Sequence, residues 1–335
     1  MPSIHSHLLV PLSGASLGLA LLTLAGCDGQ QSALAPAGTG AQSIATLFWW
    51  MAGGALAIWL VVMGIALYAT HAHPEAHSMR GARWLIIGGG VIFPVALLTG
   101  LLVYGLMLMP QLSSSENVVL RIDVSGEQWW WRVRYRTATG EAVELANEVR
   151  LPVGERVAFN LTSPDVIHSF WIPSLGGKVD MIPGRTNQLV LEPTETGTFR
   201  GACAEYCGTS HALMNFAVVV MTREGFDQWL AEQAEPAQQP TSELQQAGQQ
   251  AFLANGCGAC HQVRGTEADG TVGPDLTHVG SRLSLGAGIL PNEPDAFVRW
   301  ISGTRAVKPG VHMPPFGMLP AEDLRALAAY LDGLE

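Results

Sequence analysis

Cysteine is scarce in this 335-residue chain: Cys27, Cys203, Cys207, Cys257 and Cys260 are all there are, and each falls within a short motif. No disulfide framework is needed to account for them. Basic residues are also few, 18 against 28 acidic, for a net charge of −10. From Gln111 onward the balance is 16 basic against 26 acidic, so the deficit belongs to the large C-terminal part. That excludes nucleic acid as an expected partner and favours a basic protein partner. Charge of either sign is absent from two stretches of 26 residues, Ile44 to Ala69 and Trp84 to Met109. Without a carboxylate or a lysine, neither offers an intramembrane ion relay. Helical periodicity is absent between about Val118 and Thr222.

Each uncharged stretch can cross a hydrocarbon core of roughly 30 Å at a rise of about 1.5 Å per residue. Trp49, Trp50, Trp84 and Tyr104 lie toward their ends, where interface anchors belong. The expected two-helix transmembrane hairpin therefore runs over 44–109, with spans 44–69 and 84–109. Its connection, THAHPEAHSMRGAR, carries Arg80 and Arg83, which places the loop in the cytoplasm and everything after Pro110 on the opposite side. Ahead of it, residues 1–26 read as a signal peptide ending in LAGC. The pattern resembles a bacterial lipoprotein signal, which makes Cys27 the expected lipidated residue and the bacterial inner membrane the expected location, with the later domains on the periplasmic side. An uncleaved anchor with an incidental cysteine is the alternative.

From Val118 the pattern becomes seven or eight short β-rich runs broken by SG, TG and similar turns, which predicts an all-β sandwich or barrel over 118–222. Between its last two strands stands CAEYCGTSHALM, with Cys203, Cys207, His211 and Met214 at intervals of four, four and three. Two thiolates, an imidazole and a thioether are soft donors suited to copper, and cupredoxin sites add a second histidine from elsewhere in the barrel. His168, in SPDVIHSFW, fits that place. Two cysteines exceed the need of a mononuclear centre and can bridge two copper ions. Zinc is the competing ion, and a Cys203–Cys207 disulfide is the other alternative.

Residues 231–244, rich in alanine, glutamine and proline, read as a semi-rigid linker. An all-α domain is expected over 245–335. Its Cys257-Gly-Ala-Cys260-His261 is the attachment signature of a c-type haem, with thioethers at the cysteines and His261 as proximal ligand. A thioredoxin-like pair would require a βαβ context, and the motif follows a helix instead. Met313, in KPGVHMPPFG, is the expected sixth ligand, ahead of Met318 and His312. Leu324, Leu327, Ala328 and Leu331 form the apolar face of a last helix.

Three blocks, GEQWWWRVRY, DVIHSFWIPSLGGKVDMIPGRTNQ and GACAEYCGTSHALM, resemble subunit II of haem–copper cytochrome c oxidases, and the resemblance covers roughly Ser43 to Trp229. The C-terminal part resembles a class I cytochrome c, a fusion of the caa3 type. The resemblance implies a cupredoxin-like Greek-key fold, bridging thiolates at Cys203 and Cys207, imidazole ligands at His168 and His211, a thioether at Met214 and a backbone carbonyl at Glu205. It also implies a magnesium near the Glu205 carboxylate and makes Trp129 the surface aromatic through which an external donor passes its electron. The implied partners are the catalytic subunit I, other oxidase subunits, a cytochrome c or similar donor, and membrane lipid. One departure concerns the second span, where WLIIGGGVIFPVALL lacks the glutamate and Trp-Thr pair of many relatives, which leaves a proton-entry role unsupported. The expected function is electron entry for an oxygen-reducing, proton-pumping oxidase, with no oxygen site in this chain. A copper-delivery or storage lipoprotein, or an electron-transfer subunit of another reductase, is the alternative.

Overall fold

The computed structural model describes residues 29–72, 78–113, 116–136 and 142–335; Cys27 and the expected signal peptide lie outside these. Helix α1, Thr39–Leu67, continues into a π-helical turn, Tyr68–Ala72. Helix α2, Met79–Ile87, is capped by Ser78 Oγ, which accepts from Gly81 N at 3.2 Å. A second π-helical turn, Gly88–Ile92, leads into α3, Phe93–Ser113. That shift in the ladder falls where the Pro94 ring would clash with the carbonyl of Gly90 in a regular α-helix. Thr39–His71 and Met79–Pro110 are long and apolar enough to cross a membrane, and their central apolar side chains are unburied within the chain. Both extend several residues beyond the uncharged stretches, because polar ends continue the helix.

The start of the hairpin is fastened to the sandwich. Ala37 N donates to Ser174 O at 2.7 Å, Thr194 N donates to Ala37 O at 2.7 Å, and Thr39 N donates to Glu192 O at 3.0 Å. Gly38 permits this approach, since a Cβ there would lie 2.6 Å from the Leu175 carbonyl oxygen.

The sandwich contains ten strands among the described residues: β1 Leu120–Glu127, β2 Trp130–Arg136, β3 Ala142–Ala146, β4 Glu148–Pro152, β5 Val157–Thr162, β6 His168–Trp171, β7 Val179–Met181, β8 Asn187–Leu191, β9 Gly197–Cys203 and β10 Asn215–Met221. They form two five-stranded sheets, ordered β3-β2-β1-β5-β8 and β4-β10-β9-β6-β7. The count exceeds seven or eight for a physical reason. Within Ala142–Pro152, Asn147 takes a left-handed conformation (φ 60°) and separates β3 from β4, which join different sheets. The Asn147 side chain accepts from Trp131 N at 2.8 Å and holds the break.

Between the sheets, Trp131, Phe159, Phe170 and Phe216 are fully buried, with the Phe170 and Phe216 rings stacked at 4.7 Å. Gly201 leaves room for Phe216, whose ring a Cβ at that position would meet at 2.0 Å. Tyr135 is buried as well; its hydroxyl donates to Arg150 O at 3.0 Å and accepts from Arg150 N at 2.7 Å. Helix α4, Arg223–Ala234, lays Phe226 and Trp229 over the Tyr135 ring.

The C-terminal domain is helical, with α5 Glu243–Ala254, α6 Pro294–Ser302, α7 Thr304–Val307 and α8 Ala321–Asp332. A capping box between Ser242 and Gln245 starts α5. Helices α5 and α8 cross at Gly248, where a Cβ would lie 2.0 Å from Ala326 O. Leu324, Leu327, Ala328 and Leu331 are buried on α8. The segment read as a linker is shorter and more ordered than its composition implies, since α4 runs to Ala234 and α5 begins at Glu243. Arg264 donates to Gln233 O at 2.6 Å and Ala234 O at 2.9 Å, and Ala237 N donates to Arg264 O at 2.9 Å.

The Tyr135 contacts generate a stability prediction. Tyr135→Phe strands the buried Arg150 amide and carbonyl, and lowers stability by about 1–3 kcal/mol. Thermal unfolding checks this: the midpoint should fall while the native β-sheet circular-dichroism signal before the transition stays unchanged.

Candidate functional site

Three neighbouring strands end at one edge of the second sheet. His168 opens β6, Cys203 closes β9 in register with Phe170, and Met214 directly precedes β10. The intervening loop, which carries Cys207 and His211, is closed at its base by Cys203 N donating to Met214 O at 2.9 Å. The sheet is rigid and the loop free to turn, so donors distant in sequence converge at this edge.

The Cys203 and Cys207 sulfurs lie 3.8 Å apart, far beyond the roughly 2.05 Å of a disulfide. Cys203 Sγ is 3.8 Å from His168 Nδ1 and 3.2 Å from Glu205 O. Cys207 Sγ is 3.6 Å from His211 Nδ1 and 3.9 Å from Met214 Sδ. With ligand bonds of roughly 2.0–2.3 Å, such separations suit neighbouring vertices of a metal coordination sphere. His168, Cys203 and Cys207 are buried, with their ligand atoms mutually within 4.8 Å. Met214 is fully buried and His211 half-buried beside Tyr206. The donor set fits a soft metal, and the distances bring together all six expected positions.

The electrostatics agree with thiolate chemistry. A hydrogen bond from Cys207 is the main cause that lowers Cys203 to about 3, while burial opposes it. Sharing that proton raises Cys207, as does its own burial. Burial alone lowers His168, but hydrogen bonds to Cys203 and Asp165 outweigh it and raise the group overall. Asp165 was not apparent as a site residue. Its Oδ1 lies 2.9 Å from His168 Nε2, and its Oδ2 accepts from Gln128 N at 2.7 Å. An ionised carboxylate only accepts, so it holds the proton on Nε2 and turns the Nδ1 lone pair toward Cys203. The only available signal was the short acidic side chain three residues before a candidate ligand.

Glu205 brings its carbonyl to the cluster, while its half-exposed carboxylate lies 3.6 Å from Lys178 Nζ. Lys178 pairs with Asp180 at 2.9 Å.

In the helical domain, Gly256 ends α5 in a left-handed conformation (φ 74°), and Cys257–Ala259 form a single 3-10 turn. His261 Nδ1 lies 2.8 Å from Pro274 O, which fixes the proton there and leaves Nε2 as a ligating atom. Burial lowers His261, keeping the imidazole neutral. Gly273 permits the ring's position, since a Cβ there would meet His261 Cε1 at 2.5 Å. Met313 is half-buried, whereas His312 is exposed and Met318 is 77% exposed. Burial therefore favours Met313 as the inward donor.

One placement needs correction. Trp129 is not a surface aromatic: it is only 6% exposed because the helical domain covers it. Gly310 lies against its ring so closely that a Cβ would meet Trp129 Cη2 at 2.7 Å. On its other side, Trp129 Nε1 donates to Cys207 O at 3.0 Å, and Gln128 Nε2 donates to the same oxygen at 2.7 Å. The domain contact continues through Ser210 Oγ to Pro309 O at 2.5 Å, Asn215 N to Ala287 O at 3.1 Å, and Arg132 Nη2 to Thr271 O at 3.0 Å. Trp131 fills the core, while the half-buried Trp130 lies under the Arg132 guanidinium at 4.6 Å.

Residues 135–221 match the family model of cytochrome c oxidase subunit II, periplasmic domain, and residues 245–335 match that of cytochrome c. The chain is 40% identical over 226 residues to cytochrome c oxidase subunit 2 of Alkalihalophilus pseudofirmus, covering 68% of this chain and 64% of that relative. It is 35% identical over 232 residues to the subunit 2 of Bacillus sp. strain PS3, covering 66% and 63%. It is 30% identical over 277 residues to the subunit 2 of Bacillus subtilis, covering 78% and 76%. The chain thus spans slightly less than two thirds of the first two relatives.

Asp165 generates a two-part prediction. Burial raises its pKa, but hydrogen bonds from Val166, His168 and Gln128 outweigh that and lower it overall. A depressed carboxylate stabilises the fold above its unfolded pKa of about 3.9 and loses that contribution as pH falls through its folded value. Asp165→Asn should therefore flatten the acid limb of stability in the metal-free protein below about pH 3.9. Chelator competition should show copper retention weakened about 10- to 100-fold. Unchanged retention would make Asp165 a loop contact only.

Proposed function

The chain belongs to the cytochrome c oxidase subunit 2 family, and on that premise we propose that it is the electron-entry subunit of an oxygen-reducing, proton-pumping haem–copper oxidase. One observation carries the reading: Trp129 is packed between the loop leading to Met313 and the carbonyl of Cys207, which joins the haem-attachment domain to the cluster of soft donors. Cys203 and Cys207 would bridge two copper ions, with His168, His211, Met214 and the Glu205 carbonyl completing their coordination. Cys257 and Cys260 would hold haem c through thioethers, with His261 and Met313 as its axial ligands. When bound, both groups supply one-electron carriers, and the soft ligands favour small changes in bond length.

The protein's own contribution is placement. Trp129 excludes water from the domain contact, and its indole N–H ties the ring to a copper-ligand residue. Gly310 lets the haem domain reach that ring. Gln128 and Asp165 hold Trp129 and His168 in one hydrogen-bonded frame. Because Trp129 is covered, an external donor enters through the helical domain. That domain carries 6 basic against 10 acidic residues from Thr241 onward, which suits a basic donor such as a cytochrome c.

The remaining assignments follow from the same reading. The two apolar helices form a hairpin in a bacterial inner membrane, both redox domains lie on its periplasmic side, and Cys27 carries lipid. The catalytic subunit I receives the electron and supplies the oxygen site, and other oxidase subunits complete the assembly. The half-exposed Glu205 carboxylate contributes to a magnesium at that boundary.

Electron paramagnetic resonance of the copper-loaded full chain tests the centre. One unpaired electron shared by two coppers should give a seven-line hyperfine pattern, and Cys203→Ser or Cys207→Ser should abolish it. A four-line pattern in the unaltered protein, or two coppers and the same spectrum in both serine variants, would refute the bridging assignment.

A further inference from the structure

Lys308 follows the short helix α7 in the wall between the two domains. It is only 2% exposed, and its ammonium donates to Gly286 O at 2.8 Å. Among the described residues no carboxylate pairs with it; of the candidate copper ligands, Cys207 is the one whose charge, when ionised, would favour the ammonium. A buried ammonium without a counter-ion is expensive, and an apolar side chain would serve packing better. Its surroundings connect it to the copper loop on two sides. Gly286, Ala287 and Gly288 are all left-handed, at φ 63°, 68° and 82°, and Ala287 O accepts from the amide of Asn215, the residue after Met214. Pro309, the residue after Lys308, accepts through its carbonyl from Ser210, the residue before His211.

We propose that the Lys308 ammonium is a buried charge that biases the copper centre toward its reduced state and so draws the electron out of the haem domain. The inference rests on the dinuclear copper reading above. In the step concerned, the haem of the fused domain gives up one electron and the copper centre gains it; no bond breaks and no proton need move. The centre becomes more negative by one unit, and a cation in the same water-poor wall stabilises that product over the starting state. An external lysine would be screened, whereas this one is 2% exposed.

The test is a redox titration of the full chain loaded with copper and haem, at pH 6, following the copper mixed-valence signal and the haem absorbance separately. Burial pulls Lys308 down to about 7, so it carries its proton at that pH. Lys308→Gln keeps a donor for Gly286 O and loses the charge; Lys308→Met loses both; Lys308→Arg keeps the charge. At the poise that half-reduces the unaltered copper centre, the Gln and Met variants should show a reduced-to-oxidised ratio about tenfold lower, the order expected for loss of one unit charge at an effective dielectric of about 20. The Arg variant should stay near the original ratio. A copper potential unchanged in the Gln variant, with its seven-line signal intact, overturns the inference alone. So does an Arg variant shifted as far as Gln, because charge would then not be the agent. Should the Met variant fail to fold, the Gln and Arg pair still decides. Absence of a seven-line signal from the unaltered chain overturns the functional reading itself, and this inference with it.

Discussion

The Cys207 carbonyl is the point on which the redox architecture depends. It accepts hydrogen bonds from Gln128 Nε2 and Trp129 Nε1, and so ties the entrance of β2 to the loop that carries the soft donors. Asp165 extends the frame by accepting from Gln128 N and holding His168, which brings the tryptophan and a candidate copper ligand under one set of constraints. The helical domain can approach only because Gly310 has no side chain where it meets the Trp129 ring. These contacts tie the candidate ligands and the domain interface into one frame.

Two domains joined by a chain can communicate by tethered collision or by a standing interface. The alanine- and proline-rich composition of 231–244 suggested a tether, which raises effective concentration without fixing an orientation. The structure has a standing interface. Arg264 clasps the end of α4, His278 Nε2 lies 3.0 Å from Glu235 O, and Glu148 accepts from Leu283 N at 3.0 Å. Arg132 reaches across from β2 while also paired with Glu127 and Glu144. Polar contacts of this kind fix register more than they add affinity.

Much of the chemistry was legible in the sequence because donor type and local spacing are local properties. The cysteine, histidine and methionine of the 203–214 loop stand within one turn-rich segment, and Cys257, Cys260 and His261 form a contiguous signature. The apolar spans were equally plain, since membrane solvation acts on each residue independently. Less was legible where one atom meets another far along the chain. Nothing local signals that the left-handed backbone at Asn147 sends β3 and β4 to different sheets. Trp129 was expected at the surface because the family resemblance placed it there, and nothing local signals that a loop some 180 positions later covers it. Lys308 carried no local signal either; its burial and its contact with Gly286 O arise only in the folded chain.

On the proposed reading, electrons cross a preformed contact at Trp129 and await no encounter between domains. Flash photolysis of the full chain loaded with copper and haem, reducing the haem with a light-driven donor and following copper reduction, tests it most directly. A docked contact predicts a single first-order transfer whose rate is independent of protein concentration and nearly insensitive to ionic strength and viscosity. A rate that falls as viscosity rises, or that changes steeply with salt while the haem stays fully reduced, would show that the domains must move before transfer and would contradict the account.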